Sequence, residues 1–331
     1  MGIKRFLSPA IVLLFLSPII GELLSGSAPP AEFFNPLGFI MLTILYGGGA
    51  ILVRESTHRW GKGWPTLLIL GAAYGIAEEG LMCKSFFDPN WPDLKALGGY
   101  GRWAGVNWVW NQGLTIYHCV FSIAIPILLV SILFPASRDQ PWISRRKFVV
   151  LAILWLANAV FIFLFITPYR PPVVHYLLTI AITVGLVVLA GRLPNPVSGE
   201  KKKAVRALWF LPVGFLGTFA LFFLEWVMPK TGLHPIFLML LVTGLVILVG
   251  WIVLRMSGGG AWTERHKLAI ASGALGFFIL LAPLQELDKT RTDNRTGMAI
   301  VGLVMAIFLI WLALRIRAKE RSTISGQTEQ V

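Results

Sequence analysis

Ten stretches of roughly twenty apolar residues, separated by short charged segments, constrain this chain more than any other feature of it. A helix of that length crosses a hydrocarbon core about 30 Å thick. In lipid every backbone polar group needs an internal partner, and a helix is the only open element that provides one. The stretches cover residues 6–24, 37–54, 65–87, 113–134, 148–167, 173–191, 207–227, 235–254, 268–284 and 297–314. They define an all-α, polytopic membrane protein of about ten transmembrane helices. Charged residues make up only 14% of the 331, against about a quarter in soluble domains.

The net charge of +13 would suggest nucleic acid in a soluble protein. Its distribution argues against that. With the N-terminus placed inside, 21 Lys and Arg fall on inner segments and 7 on outer loops. That asymmetry is the positive-inside signal. It predicts a multi-pass protein of the cell membrane with both termini cytoplasmic. The expected partners are the lipids of the inner leaflet and no nucleic acid. Lys4-Arg5, the apolar run and Ser25-Gly26-Ser27-Ala28 resemble a secretory signal with a cleavage site. The run reaches Leu24 and contains Glu22, which favours a retained first span.

The expected organisation is a six-helix membrane half over 1–191, a basic cytoplasmic linker over 192–206, and a four-helix half with a basic tail over 207–331. Cys83 and Cys119 both lie within apolar stretches and lack metal-type spacing. No cofactor or metal is indicated by such a motif, and nothing bears on oligomeric state.

Chemistry concentrates in the third stretch, which carries Glu78, Glu79 and Lys84. Ionisable groups within a span are costly and face protein or water rather than lipid. Counted back from Phe87, the two carboxyls lie roughly 12–14 Å inside the outer boundary, too deep to reach the surface. Helical residues diverge by 100°, so adjacent carboxyls should not face one partner, and Lys84 should lie above neither. Their partners should come from other helices. His118 of the fourth stretch and Glu22 of the first are nearest in depth, and Tyr74 shares a helical face with Glu78. Two carboxyls at this depth should not both ionise without a cation. Gly71 and Gly75 form a small-residue stripe that should admit a neighbouring helix. Tyr46-Gly47-Gly48-Gly49 in the second stretch reads either as tight packing or as an interrupted helix at a site. Arg54-Glu55 reads as an interfacial charge pair.

The outer segment 88–112 holds four Trp among glycines. It suits an aromatic belt at the headgroups, or a lid with Trp103, Asn107 and Trp108 over the carboxyls. Candidate ligand-binding residues are therefore Glu22, Tyr74, Glu78, Glu79, Lys84, Trp103, Asn107, Trp108 and His118. In an enzyme Glu78, Glu79 and His118 would be catalytic.

Ala77-Glu78-Glu79, a basic residue soon after and His118 on the next span together resemble the CAAX-type (Abi) family of intramembrane proteases. The resemblance covers spans 3 and 4 only, with Lys84 one position out of register with that family's Arg. It implies cleavage of membrane-associated substrates by water activated through Glu and His, with a metal as a possible aid. Glu78 or Glu79 would be the base and His118 its partner.

Three function classes follow. The first is a transporter or permease with an outward-facing carboxylate–histidine site. The second is an intramembrane hydrolase or protease-like enzyme at the outer leaflet. The third is a non-catalytic scaffold. A small molecule, peptide or lipid-linked compound would serve as ligand.

Overall fold

The computed structural model describes residues 8–94, 97–195, 202–289 and 292–328. Each apolar stretch becomes a helix. They are α1 (Pro9–Leu24), α2 (Pro36–Arg59), α3 (Trp64–Ile76, continued by Ala77–Met82), α4 (Trp108–Leu133) and α5 (Arg145–Ile166). The rest are α6 (Val173–Arg192), α7 (Ala207–Thr231), α8 (Pro235–Met256), α9 (Glu264–Leu287) and α10 (Met298–Arg321). Eight of these are long and apolar enough to cross a membrane, and α1 is a shorter apolar helix. A single hairpin, β1 (Arg102–Trp103) with β2 (Val106–Asn107), is the only sheet among the described residues.

Two helix ends depart from the hydropathy pattern. α4 begins at Trp108 rather than near 113, because Asn107 caps it by accepting a bond from the Trp110 amide (3.0 Å). Tryptophan, Asn and Gln in that first turn lower the local hydropathy and hide the start. α3 ends at Met82 rather than 87, because Lys84 takes a left-handed φ of +63°.

Five helices contain π-helical turns: Ile19–Leu24, Thr43–Gly48, Ala77–Met82, His118–Ala124 and Ile162–Ile166. Bonding from i to i+5 leaves the backbone satisfied while placing more residues in each turn. The glycine run of α2 is therefore a continuous helix, not an unwound one. A Cβ on Gly47 would fall 1.9 Å from the Leu14 carbonyl oxygen, and one on Gly49 would fall 2.2 Å from the Tyr74 ring. The run lets α1 and α3 close on α2. The stripe on α3 does the same for α4: a Cβ on Gly75 would lie 3.0 Å from that of His118.

Arg54 and Glu55 form the charge pair that the sequence suggests, and both are buried within the protein. They pair at 2.5 Å. Glu55 also accepts from the Trp142 amide (2.9 Å), and Arg54 donates to the carbonyls of Arg138 (2.7 Å) and Gln140 (2.8 Å). The pair clasps the α4–α5 connection to the end of α2. A buried pair satisfied in this way is stable only because each remaining polar atom has a partner.

The chain divides into two compact units. The first takes the described residues to Gly21, those of 33–195, and Ala220–Leu245; it holds the polar cluster. The second takes Glu22–Glu32, the described residues of 202–219, and those from Val246 on. Within the second, Gly214 of α7 and Gly273 of α9 let those helices meet backbone to backbone. Arg295 binds Gln285 (2.6 Å) and the Gly26 carbonyl (2.8 Å) there.

Candidate functional site

Three of the π-helical turns carry the polar cluster: Tyr46 in α2, Glu78 and Glu79 in α3, and His118 with Ser122 in α4. Such turns are rare in helices and concentrate at functional sites. Glu78, Glu79 and His118 are 1%, 7% and 2% exposed. Groups of this kind are tolerated only when they bind one another or a ligand.

The imidazole stands between the two carboxyls. Its Nε2 lies 3.0 Å from Glu79 Oε1, and its Nδ1 lies 3.3 Å from Glu78 Oε2. Both carboxyls thus face one partner, contrary to the 100° reasoning for an α-helix. The π-helical turn brings successive side chains closer in direction than an α-helix does, and the ring's two nitrogens point to opposite sides.

Each member is held from behind. Glu79 Oε2 accepts from the Ser85 hydroxyl, and Trp110 Nε1 donates to Ser85 Oγ (3.0 Å). With both oxygens engaged, Glu79 is an anchor for the ring. Nδ1 also bonds Ser122 Oγ (3.0 Å). Tyr46 and Tyr74 interact electrostatically with the Glu78 side chain. The rings of Tyr46, Tyr74 and Tyr117 surround the imidazole at 5.9, 6.2 and 5.3 Å. Glu78 Oε2, however, has no hydrogen bond although it is buried. A buried acceptor left in that state costs about 1–3 kcal/mol, and it is the atom best placed to receive a proton from a bound molecule.

One atom from each of Glu78, Glu79 and His118 lies within 4.8 Å of the others. Imidazole nitrogen and carboxylate oxygen suit zinc and similar divalent ions. The Glu78 oxygen without a hydrogen bond fits such an ion, so these three residues are the ones that would hold it.

The remaining sequence candidates lie elsewhere. Lys84 is fully buried and donates to the carbonyls of Phe163 (3.0 Å) and Thr167 (2.5 Å). It satisfies the end of α5, as a cation at a helix C-terminus does. Asn107 caps α4 and binds the Leu97 carbonyl (2.6 Å). Trp103 stacks on Trp108 at 5.6 Å, and Trp108 Nε1 donates to the Trp103 carbonyl (3.1 Å). Glu22 belongs to the second unit, where its carbonyl accepts from Ser25 (3.0 Å) and Ala28 (3.1 Å). Of the sequence candidates, the structure brings together Tyr74, Glu78, Glu79 and His118.

Four members of the cluster were absent from the sequence candidates: Tyr46, Ser85, Trp110 and Ser122. Ser122 follows His118 by four positions and was readable as a helical neighbour. Tyr46 sat beside the glycine run that marked close packing. Ser85 and Trp110 meet only through the turn at Lys84, which no local pattern announces.

The fold and the buried cluster define a polytopic α-helical membrane protein with a carboxylate–histidine centre. The chain belongs to the family whose model bears the description "Uncharacterized membrane protein family", which matches residues 11–330. It is also similar to an "Uncharacterized protein" of Archaeoglobus fulgidus, 27% identical over 126 residues. That match covers 38% of each chain. No solved structure matches.

Proposed function

We propose that the chain is an intramembrane hydrolase in which Glu78 is the general base and His118, anchored by Glu79, is its partner. The observation that carries this reading is the buried Glu78 Oε2, which makes no hydrogen bond and lies 3.3 Å from His118 Nδ1. A water bound there gives one proton to Glu78 while its oxygen bonds to the carbonyl carbon of an ester or amide. The bond from that carbon to the leaving group then breaks, and the leaving group takes the proton back from Glu78. The products are an acid and an alcohol or amine. Glu79, with Ser85 and Trp110 behind it, fixes the orientation of the ring as the third member of a triad does. A positioned base of this kind contributes about 10²–10⁴ in rate. A divalent ion on the three residues would polarise the carbonyl and the water.

A proton-coupled permease using the same carboxyls is the second reading. It is favoured by the π-helical turns at every element of the cluster, since transporter sites use modified helices near the midplane. The positive-inside asymmetry orients the site toward the outer leaflet in either case.

The test is hydrolysis of fluorogenic single-chain ester and amide reporters in vesicles containing the purified protein. Turnover lost in Glu78→Gln and in His118→Gln, with folded protein, supports the enzyme. Turnover that survives both changes refutes it. Proton flux tied to solute uptake, without turnover, selects the permease.

A further inference from the structure

Beside the cluster, the first unit contains a second feature that the proposed chemistry does not use: a cavity of about 530 Å³ between α2, α3, α5 and α6. Its walls are almost wholly apolar, built from residues such as Leu52, Leu70, Trp155, Leu156 and Val160. Polar side chains in the lining are few: Ser56, Tyr74, Tyr176 and Thr183. An apolar cavity offers water too few partners to hold it. The lining includes Leu156, Val160, Ile180 and Val187, all exposed on the faces of α5 and α6. The cavity is therefore continuous with the surface these helices present to lipid, and hydrocarbon can enter it sideways.

Its dimensions and ends narrow the occupant. Along α6 the lining runs from Tyr176 to Val187, about 16 Å at 1.5 Å per residue. That is about half of a 30 Å hydrocarbon core, the depth of one leaflet. One end is closed by Phe163, and two cations lie over its ring: Lys84 Nζ at 4.3 Å and Arg170 Cζ at 4.7 Å. The hydrogen bonds of both go to backbone carbonyls, and Asp88 acts on Lys84 electrostatically, which leaves Arg170 the freer charge of the two. Leu81 and Met82 line the same part of the cavity, and Glu78 lies one helical turn from Met82. Tyr74 is the link: it is part of the cavity wall, and it interacts electrostatically with Glu78.

We infer that this cavity holds the hydrocarbon chain of a single-leaflet amphiphile with a phosphate headgroup, the headgroup resting at the exposed Arg170, with the buried Lys84 adding positive charge at the same end. The chain enters between α5 and α6. The linkage just beneath the headgroup then lies at the level of Tyr74 and Glu78. The inference names the substrate class of the proposed hydrolase and, for its catalytic part, rests on that reading.

The probe is a lysophosphatidate with a diazirine in mid-chain, photolysed in phosphatidylcholine vesicles containing the full chain and mapped by peptide mass spectrometry. Labelling is expected to concentrate on 155–163 and 176–187 and to fall when unlabelled lysophosphatidate is added. Val160→Trp and Ile180→Trp add bulk at exposed positions of the mouth, and each is expected to lower labelling about tenfold, as a loss of about 1.4 kcal/mol does. Leu303→Trp on α10 is the control and leaves labelling unchanged. Arg170→Gln lowers it about fivefold, the effect of one basic side chain on an anionic lipid. The uncharged monoacylglycerol probe should label as weakly as Arg170→Gln does with the charged one. Labelling spread over all lipid-facing helices, or undiminished in both Trp variants, overturns the site. Equal labelling by the uncharged probe overturns the phosphate. Glu78→Gln should label as wild type does. Concentrated labelling without turnover leaves the chain site standing and removes the enzyme; turnover without concentrated labelling does the reverse.

Discussion

Glu78→Gln separates the chemistry of the cluster from its architecture, and the two effects should have opposite signs. In the native protein Glu78 Oε2 is buried without a hydrogen bond, 3.3 Å from His118 Nδ1. Glutamine keeps the length of the side chain and one carbonyl oxygen facing Tyr46 and Tyr74. Its amide nitrogen can take the place of Oε2 and donate to Nδ1, with the ring proton on Nε2 directed at Glu79. The substitution replaces an unsatisfied acceptor by a satisfied donor. Removing such an orphan is worth about 1–3 kcal/mol, less the charge-dependent share of the two tyrosine interactions. Stability is therefore expected to hold or rise by about 1 kcal/mol. Turnover should fall by about 10²–10⁴, the contribution of a positioned base. The assay pairs the thermal unfolding midpoint in one detergent with reporter hydrolysis in vesicles. A variant that is fully active, or one that unfolds well below wild type, would refute the reasoning. The second result would make the cluster a structural knot.

Three further outcomes are expected. Ser85→Ala removes the donor to Glu79 Oε2 and breaks the chain from Trp110; it should lower stability by about 1–3 kcal/mol in thermal unfolding, with turnover reduced but not lost. Gly47→Ala places a methyl group 1.9 Å from the Leu14 carbonyl, so α1 must move from α2 at a cost of about 1–3 kcal/mol; an unchanged unfolding midpoint would contradict that packing. For orientation, a cysteine at Ser322 should be protected from an impermeant reagent added outside cells, while one at Lys289 should react; the reverse pattern would invert the topology.

The helices were legible because lipid imposes one length and one polarity rule on every span, and eight of the ten helices meet it in full. Depth alone marked His118 as a partner for a carboxyl of α3, beside Glu22, which belongs to the other unit. Gly71 and Gly75 correctly marked where α4 would lie close. The π-helical turns were not legible: an i to i+5 turn has no composition of its own, and without it the geometry of a regular α-helix forbids two adjacent carboxyls one partner. The destination of Lys84 was hidden for a related reason. Its left-handed φ ends α3 early and turns its ammonium toward the end of α5, a destination set by a helix some 80 residues later in the chain. Tyr46 was visible only as the neighbour of three glycines, whose packing role drew attention from its hydroxyl.

The central claim is that Glu78, Glu79 and His118 act as one proton-sharing unit within the membrane. Infrared absorption of the carboxyl C=O stretch near neutral pH, in wild type and in Glu78→Gln, Glu79→Gln and His118→Gln, tests it most directly. With Glu78 ionised at rest as the base, the account predicts a band from protonated Glu79 that disappears in Glu79→Gln and shifts in His118→Gln. Absence of that band in wild type, or a band unmoved by loss of the imidazole, would contradict it.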